Sequence, residues 1–189
     1  MKMDEKQLVN KILAGDSKAY KTFIDTYKRL VAHVVFRMVY NPTDREDLCQ
    51  DVFIKAYQNL QGFQFQSKIS TWLARIAYNT CVNYLQKMRT PLLGDSTPED
   101  LSFESVATRD MDPYAEAEGS DLNRMIRRHV NALPPLFRAI VTLYHLDGMK
   151  YDEISQVLEL PVGTVKSYLF RARRILKKKL LELQEDVLW

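Results

Sequence analysis

The chain has 189 residues, 27 Lys and Arg against 24 Asp and Glu for a net charge of +3, and an ordinary globular composition, 46% hydrophobic and 27% charged. No apolar run approaches the ~18 residues that cross a bilayer, and the start, MKMDEKQLVNK, lacks the apolar centre of a signal peptide, so a cytoplasmic protein without membrane insertion is expected. Two cysteines, Cys49 and Cys81, and three histidines, His33, His129 and His145, make no CxxC or HExxH motif, which argues against a disulfide framework, a metal or another cofactor.

The charge is unevenly spread. Residues 1–89 carry 14 basic and 8 acidic groups, residues 90–120 carry 1 and 8, and residues 121–189 carry 12 and 8, giving +6, −7 and +4. The middle stretch also holds Pro91, Pro98, Pro113, Gly94 and Gly119 and has no sustained apolar period. It reads as an acidic, flexible linker. The predicted fold is all-α, with two small helical domains, 1–89 and 121–189, joined by the linker 90–120. Positive charge is concentrated further within each domain. Residues 52–94 contain five Lys or Arg and no acid, and residues 160–181 contain seven and no acid.

In the first domain apolar residues recur at three and four. After Gly15, Asp16 is placed to cap a helix with Tyr20, Phe23, Ile24, Tyr27, Val31, Val34, Val35 and Met38 on its apolar face, ended by Asn41-Pro42. A second helix is expected from Thr43 or Asp44, where Thr43 and Glu46 have capping-box spacing. It buries Leu48, Val52, Ala56, Tyr57 and Leu60. Its other face carries Asp47, Gln50, Asp51 and Lys55, which periodicity alone makes a solvated strip.

After Gly62 comes Phe63-Gln64-Phe65-Gln66-Ser67-Lys68, and then Ser70 or Thr71 is expected to cap a helix through Trp72, Arg75, Tyr78, Asn79, Asn83, Tyr84, Lys87 and Arg89. Rings, amides and cations without a carboxylate suit a groove for single-stranded nucleic acid: rings stack on bases, amides bond base edges, and cations neutralise phosphates. Spacing also allows Trp72, Leu73, Ile76, Ala77 and Tyr84 into the core, and Trp72 is expected to be at least half structural. Asn79 and Asn83, four apart, fit the binding role better.

The second domain carries a sharper motif. Leu133-Pro134-Pro135 starts a helix with Phe137, Ile140, Val141 and Tyr144 on one face, stopped by Asp147-Gly148. YDEISQVLELPVGTVKSYLFRARRIL then has the pattern of a helix-turn-helix. The first short helix buries Ile154, Val157 and Leu158, and the second, from about Pro161, buries Val162, Val165, Leu169, Ala172 and Leu176. Lys166, Ser167, Phe170, Arg171, Arg173 and Arg174 are left outward, a face able to read the major groove. Lys177-Lys178-Lys179 is expected to be a solvated helix end.

These segments resemble a family. GTVKSYLFRARRIL after YDEISQVLELPV is similar to the promoter-reading region of bacterial sigma factors. TDREDLCQDVFIKAYQNLQGF followed by STWLARIAYNTCVNYL is similar to their polymerase-binding and promoter-opening region. Their order and the absence of further domains resemble the extracytoplasmic-function (ECF) group of sigma factors, over about residues 4–182. The resemblance implies that Asp47, Gln50, Asp51 and Lys55 face the clamp of core RNA polymerase. It implies that Phe63, Phe65, Lys68, Ser70, Trp72, Arg75, Asn79, Asn83 and Lys87 hold the opened minus-10 element. It also implies that Thr164, Lys166, Ser167, Phe170, Arg171 and Arg174 read the minus-35 element as duplex promoter DNA. An anti-sigma factor is an implied partner, and an active site of the chain's own is not. Tyr168 stands where the family frequently has Arg, and Glu159 stands in the turn where many helix-turn-helix proteins have Gly, which suggests a helical rather than a left-handed residue there. The rival reading is a stand-alone helix-turn-helix regulator, which leaves the acid-free aromatic segment 52–94 without a purpose.

Overall fold

The computed structural model describes residues 4–88 and 121–186, with the side chains of 121–124, 127 and 182–186 outside the description. The whole of the expected linker, 90–120, and Arg89 before it lie outside the described residues. The described residues form α-helices joined by turns, with one 3-10 turn at Leu60–Gly62. The described residues fall into two compact units, one built on residues 4–88 and the other on residues 121–155 and 159–186.

In the first unit α1 spans Glu5–Leu13, α2 Ser17–Met38, α3 Pro42–Asn59 and α4 Ile69–Met88. Leu8, Val9 and Ile12 bury one side of α1. The helix ends because Gly15 takes φ +86, letting Gly15 N–H bond the Ile12 carbonyl and Asp16 N–H bond the Lys11 carbonyl. This is the glycine-terminated helix end that a residue with a Cβ adopts only at a cost. Asp16 then caps α2 as expected, its carboxylate accepting from the Lys18 and Ala19 amides at 2.9 and 3.1 Å. α3 starts one residue earlier than expected. Asn41 is its cap, accepting from Thr43 N–H at 3.0 Å, with Pro42 in the first helical position where a missing amide costs nothing. α4 likewise starts before Ser70 and Thr71, at Ile69, with the Lys68 carbonyl accepting from Trp72 N–H.

Helices α2, α3 and α4 pack mutually and α1 lies on α2. The core is aliphatic and aromatic: Phe23, Val31, Val35, Val52, Ala56, Ile69, Leu73 and Ala77 are fully or almost fully buried. At roughly 1.5 to 3 kcal/mol for each fully buried large side chain, this packing rather than helix propensity holds α2 to α4. Tyr57 departs from its expected burial. It is 51% exposed and meets the ring of Tyr20 edge-on, because it lies at the margin of the α2/α3 contact.

Further along the chain α5 spans Asp121–Asn131, α6 Pro135–His145, α7 Tyr151–Leu158 and α8 Val162–Asp186. Helices α5, α6 and α8 pack against each other. Leu133, Ile140, Leu143, Ile154, Val165, Leu169 and Ala172 are buried. Glu153 accepts from the Lys150 amide at 2.8 Å and holds the start of α7. The turn into α8 corrects the sequence expectation: Glu159 is left-handed, at φ 55 and ψ 37. The physical cause is the helix end itself. Leu160 N–H reaches back to the Ser155 carbonyl and Ser155 Oγ donates to the Leu160 carbonyl, closures that require the intervening residue to reverse its twist.

Candidate nucleic-acid interface

On the first unit, Arg75, Asn79, Asn83 and Lys87 recur every four residues along α4 and all are exposed. Helical spacing of four makes them one gently winding polar stripe. Its upstream end meets the loop after the 3-10 turn, where three rings step outward from the core. Trp72 and Phe63, each only 9% exposed, lie 4.9 Å apart, and Phe63 lies 4.7 Å from Phe65, which is half-buried. Phe63 and Trp72 are therefore the footing of this surface, and Phe65 is its accessible ring. Phe65 also has φ 56, a left-handed conformation unusual for a bulky residue. Lys68 is exposed and Ser70 half-buried beside it.

On α3, Asp47, Gln50 and Asp51 are exposed on one face. Lys55 is turned away from them: it is half-buried and its ammonium donates to Thr80 Oγ1 on α4 at 3.2 Å. The place beside the three polar residues is taken by Ile54, 53% exposed and followed one turn on by exposed Gln58. The sequence reading missed Ile54. Its signal was an isoleucine out of phase with Leu48, Val52 and Ala56.

On the second unit, Val165, Leu169 and Ala172 bury one side of α8 while Lys166, Ser167, Phe170, Arg171 and Arg174 are exposed and Thr164 is half-buried. Phe170 is 68% exposed, on the same face as these cations. Tyr168 packs on Phe137 at 5.5 Å, which accounts for a ring at that position. The cations are not equally placed. Arg173 stands 5.0 Å over the Tyr144 ring and directs its guanidinium at His145 Nε2, with 3.3 and 3.2 Å contacts from Nε and Nη2. Tyr144 in turn stacks on Tyr151 at 5.2 Å, with Lys166 5.5 Å from the Tyr151 ring centre. Arg171 has a looser aromatic neighbour, Tyr168 at 5.9 Å. Burial, and secondarily Arg173, depresses the His145 pKa below the ordinary imidazole range.

Neither cysteine is poised for chemistry. Burial first pushes the Cys49 and Cys81 thiols up to about 11 and about 12, away from the nucleophilic thiolate. Among the described residues no three His, Cys, Asp or Glu gather where they could hold a metal ion, and no helix is long and apolar enough to cross a membrane.

Comparison with known proteins matches residues 23–90 to Sigma-70 region 2 and residues 123–176 to Sigma-70, region 4. The ECF RNA polymerase sigma-E factor of Haemophilus influenzae is 36% identical over 96% of this chain and 97% of its own. The chain belongs to the ECF sigma factor family. The Escherichia coli ECF RNA polymerase sigma-E factor is similar at 37% identity over 96% of both chains. A co-crystal structure of the sigma factor RpoE with the anti-sigma factor NepR from Bartonella quintana shares the family fold, with a TM-score of 0.65 at 22% identity over 86% of this chain and 97% of that one. The α3 strip, the ring-lined loop and the α4 stripe all lie within the region 2 match, and the exposed face of α8 lies within the region 4 match.

Proposed function

We propose that the chain is a promoter-specificity subunit that binds core RNA polymerase, recognises a promoter at two elements and helps open the duplex. The observation that carries this reading is that one chain of this family exposes two separate faces suited to nucleic acid: the carboxylate-free α4 stripe with Phe65, and the cationic face of α8. Residues 1–89 serve as the polymerase-binding and opening domain and residues 121–189 as the upstream reader. Residues 90–120, with eight acids and one base, serve as a tether resembling a polyanion.

In this scheme Asp47, Gln50 and Asp51, with Ile54 as apolar centre and Lys55 at the margin, dock on the polymerase. Interfaces of this kind concentrate their energy in a buried apolar anchor within a polar rim. Phe65 receives an unstacked base of the downstream element, and Asn79, Asn83, Arg75, Lys68 and Lys87 hold the strand. Stacking on one ring contributes about 1 to 3 kcal/mol per base, comparable to the few kcal/mol that extruding a base costs. On α8, Lys166 and Arg171 reach base edges or phosphates of the upstream element, and Phe170 offers an apolar contact to a thymine methyl. The chemistry of initiation belongs to the polymerase, and the chain acts in the cytoplasm without an active site. An anti-sigma factor, as in the Bartonella quintana complex, is the proposed restraint.

The test is reconstitution. Purified chain with core polymerase should initiate at a promoter that core alone ignores. Tight operator binding without polymerase, and no initiation with it, would overturn this reading in favour of a stand-alone helix-turn-helix regulator.

A further inference from the structure

We propose that α1 supplies a phosphate ligand, Lys6, to the strand-holding surface of the first unit, acting beside Phe65. This rests on the functional reading above and extends it to a helix outside the residues matched by Sigma-70 region 2, which begin at 23.

α1 is fixed where it can do this. Leu8, Val9 and Ile12 anchor it, and it packs on α2 and on the 3-10 turn that leads into the Phe63–Lys68 loop. Lys6 is exposed on the helix, and its ammonium stands 5.7 Å from the centre of the Phe65 ring. This is within the range of a cation–π contact. The adjacent acid, Glu5, is engaged elsewhere, accepting from the Tyr27 hydroxyl at 3.1 Å.

Phe65 gives the second observation. Its left-handed backbone is unfavourable for a residue with a Cβ, and such conformations persist where the surroundings over-determine them, often at binding sites. The ring is in contact with Phe63 and under the Lys6 ammonium, so two neighbours from different elements hold it near the surface. A base stacked on this ring has its own phosphate one sugar away. A flexible four-carbon side chain already standing over the ring spans that distance, so Lys6 exchanges the ring for the phosphate as the nucleotide arrives. The cation keeps a partner in both states. No carboxylate between residues 52 and 94 competes for it from the loop or from α4.

The experiment uses the full chain bound to core polymerase and a forked promoter duplex whose downstream element is single-stranded. Affinity is measured over a range of salt concentrations. Lys6→Gln should weaken fork binding several-fold at low salt and make the slope of log affinity against log salt shallower by about 0.7, the loss of one single-strand phosphate contact. Lys6→Arg should restore both. Binding to a duplex carrying only the upstream element should be unchanged. An unaltered slope on the fork, or an equal loss on the upstream duplex, would overturn the proposal while leaving the functional reading intact. Failure of the wild-type holoenzyme to bind the fork would overturn that reading and this proposal with it.

Discussion

The Tyr84 hydroxyl donates a 2.6 Å hydrogen bond to the Asp44 carboxylate, tying the last turns of α4 to the first turn of α3. Burial first, and then this bond, pushes the Tyr84 phenol up to about 12. Tyr84→Phe should destabilise the chain by about 1.5 kcal/mol in urea unfolding, the low end for a bond to a charged group because the pair is only half-buried. The folded pKa lies above the unfolded value of about 10, so the contribution is complete below that pH and is lost as pH rises toward 12. The stability difference between wild type and Tyr84→Phe should therefore shrink in that window. A difference that is flat with pH would argue against the bond.

The long periodic helices were legible because their apolar faces are wide. Asp16 and the face from Phe23 to Met38 identify α2, and Val165, Leu169 and Ala172 identify the buried side of α8. α1 and α5 were not read as helices. α1 has nine residues with only three buried, and α5 abuts the acidic stretch that masks its start. Side-chain direction was the other blind spot. Lys55 shares a polar face in projection, yet its long stem bends to Thr80. Phe63 and Phe65 are two residues apart in one motif, and only contact with Trp72 separates their roles.

That separation has a measurable consequence. Phe63→Ala removes a buried ring from the Trp72 contact and should cost about 3 kcal/mol or more in stability. Phe65→Ala should change stability by less than about 1 kcal/mol, because the ring is half-buried, yet it should impair promoter opening by the holoenzyme. Permanganate reactivity of the opened strand reports the second effect. Equal stability losses at both positions would place Phe65 in the core.

Glu159 offers a gain instead of a loss. A left-handed residue with a Cβ costs about 1 to 2 kcal/mol, and glycine avoids this while losing about 0.5 to 1 kcal/mol to chain entropy. Its side chain is exposed, so little packing is at stake. Glu159→Gly should raise the thermal midpoint by an amount corresponding to at most about 1.5 kcal/mol, read by calorimetry. A lower midpoint would mean that the glutamate side chain stabilises the turn.

His145 makes the second unit sensitive to acid. Its folded pKa is depressed, by burial first and then by the Arg173 guanidinium, so the unfolded chain binds its proton more readily. Stability is therefore complete above the ordinary imidazole pKa of about 6.5 and falls as pH drops through and below it. The contact chemistry agrees, since protonation removes the Nε2 lone pair that faces Arg173. Thermal melts between pH 8 and pH 5 should fall more steeply for wild type than for His145→Gln. Identical pH profiles would remove His145 from the account.

Arg171 and Arg173 lie two residues apart on α8, and their surroundings assign them different work. Arg173 is engaged by the Tyr144 ring and the His145 imidazole, whereas Arg171 is exposed with only a loose approach to Tyr168. Arg171→Ala should cost roughly 1 to 3 kcal/mol on the preferred upstream element and relax discrimination at one base pair, if the guanidinium reads a base edge. Arg173→Ala should instead lower the melting temperature and weaken binding to all upstream sequences about equally, because it loosens the seating of α8 on α6. Competition among single-base variants of the upstream element, measured with holoenzyme, separates the two. Relaxed discrimination in Arg173→Ala with an unchanged melting temperature would reverse the assignment and make Arg173 the reader.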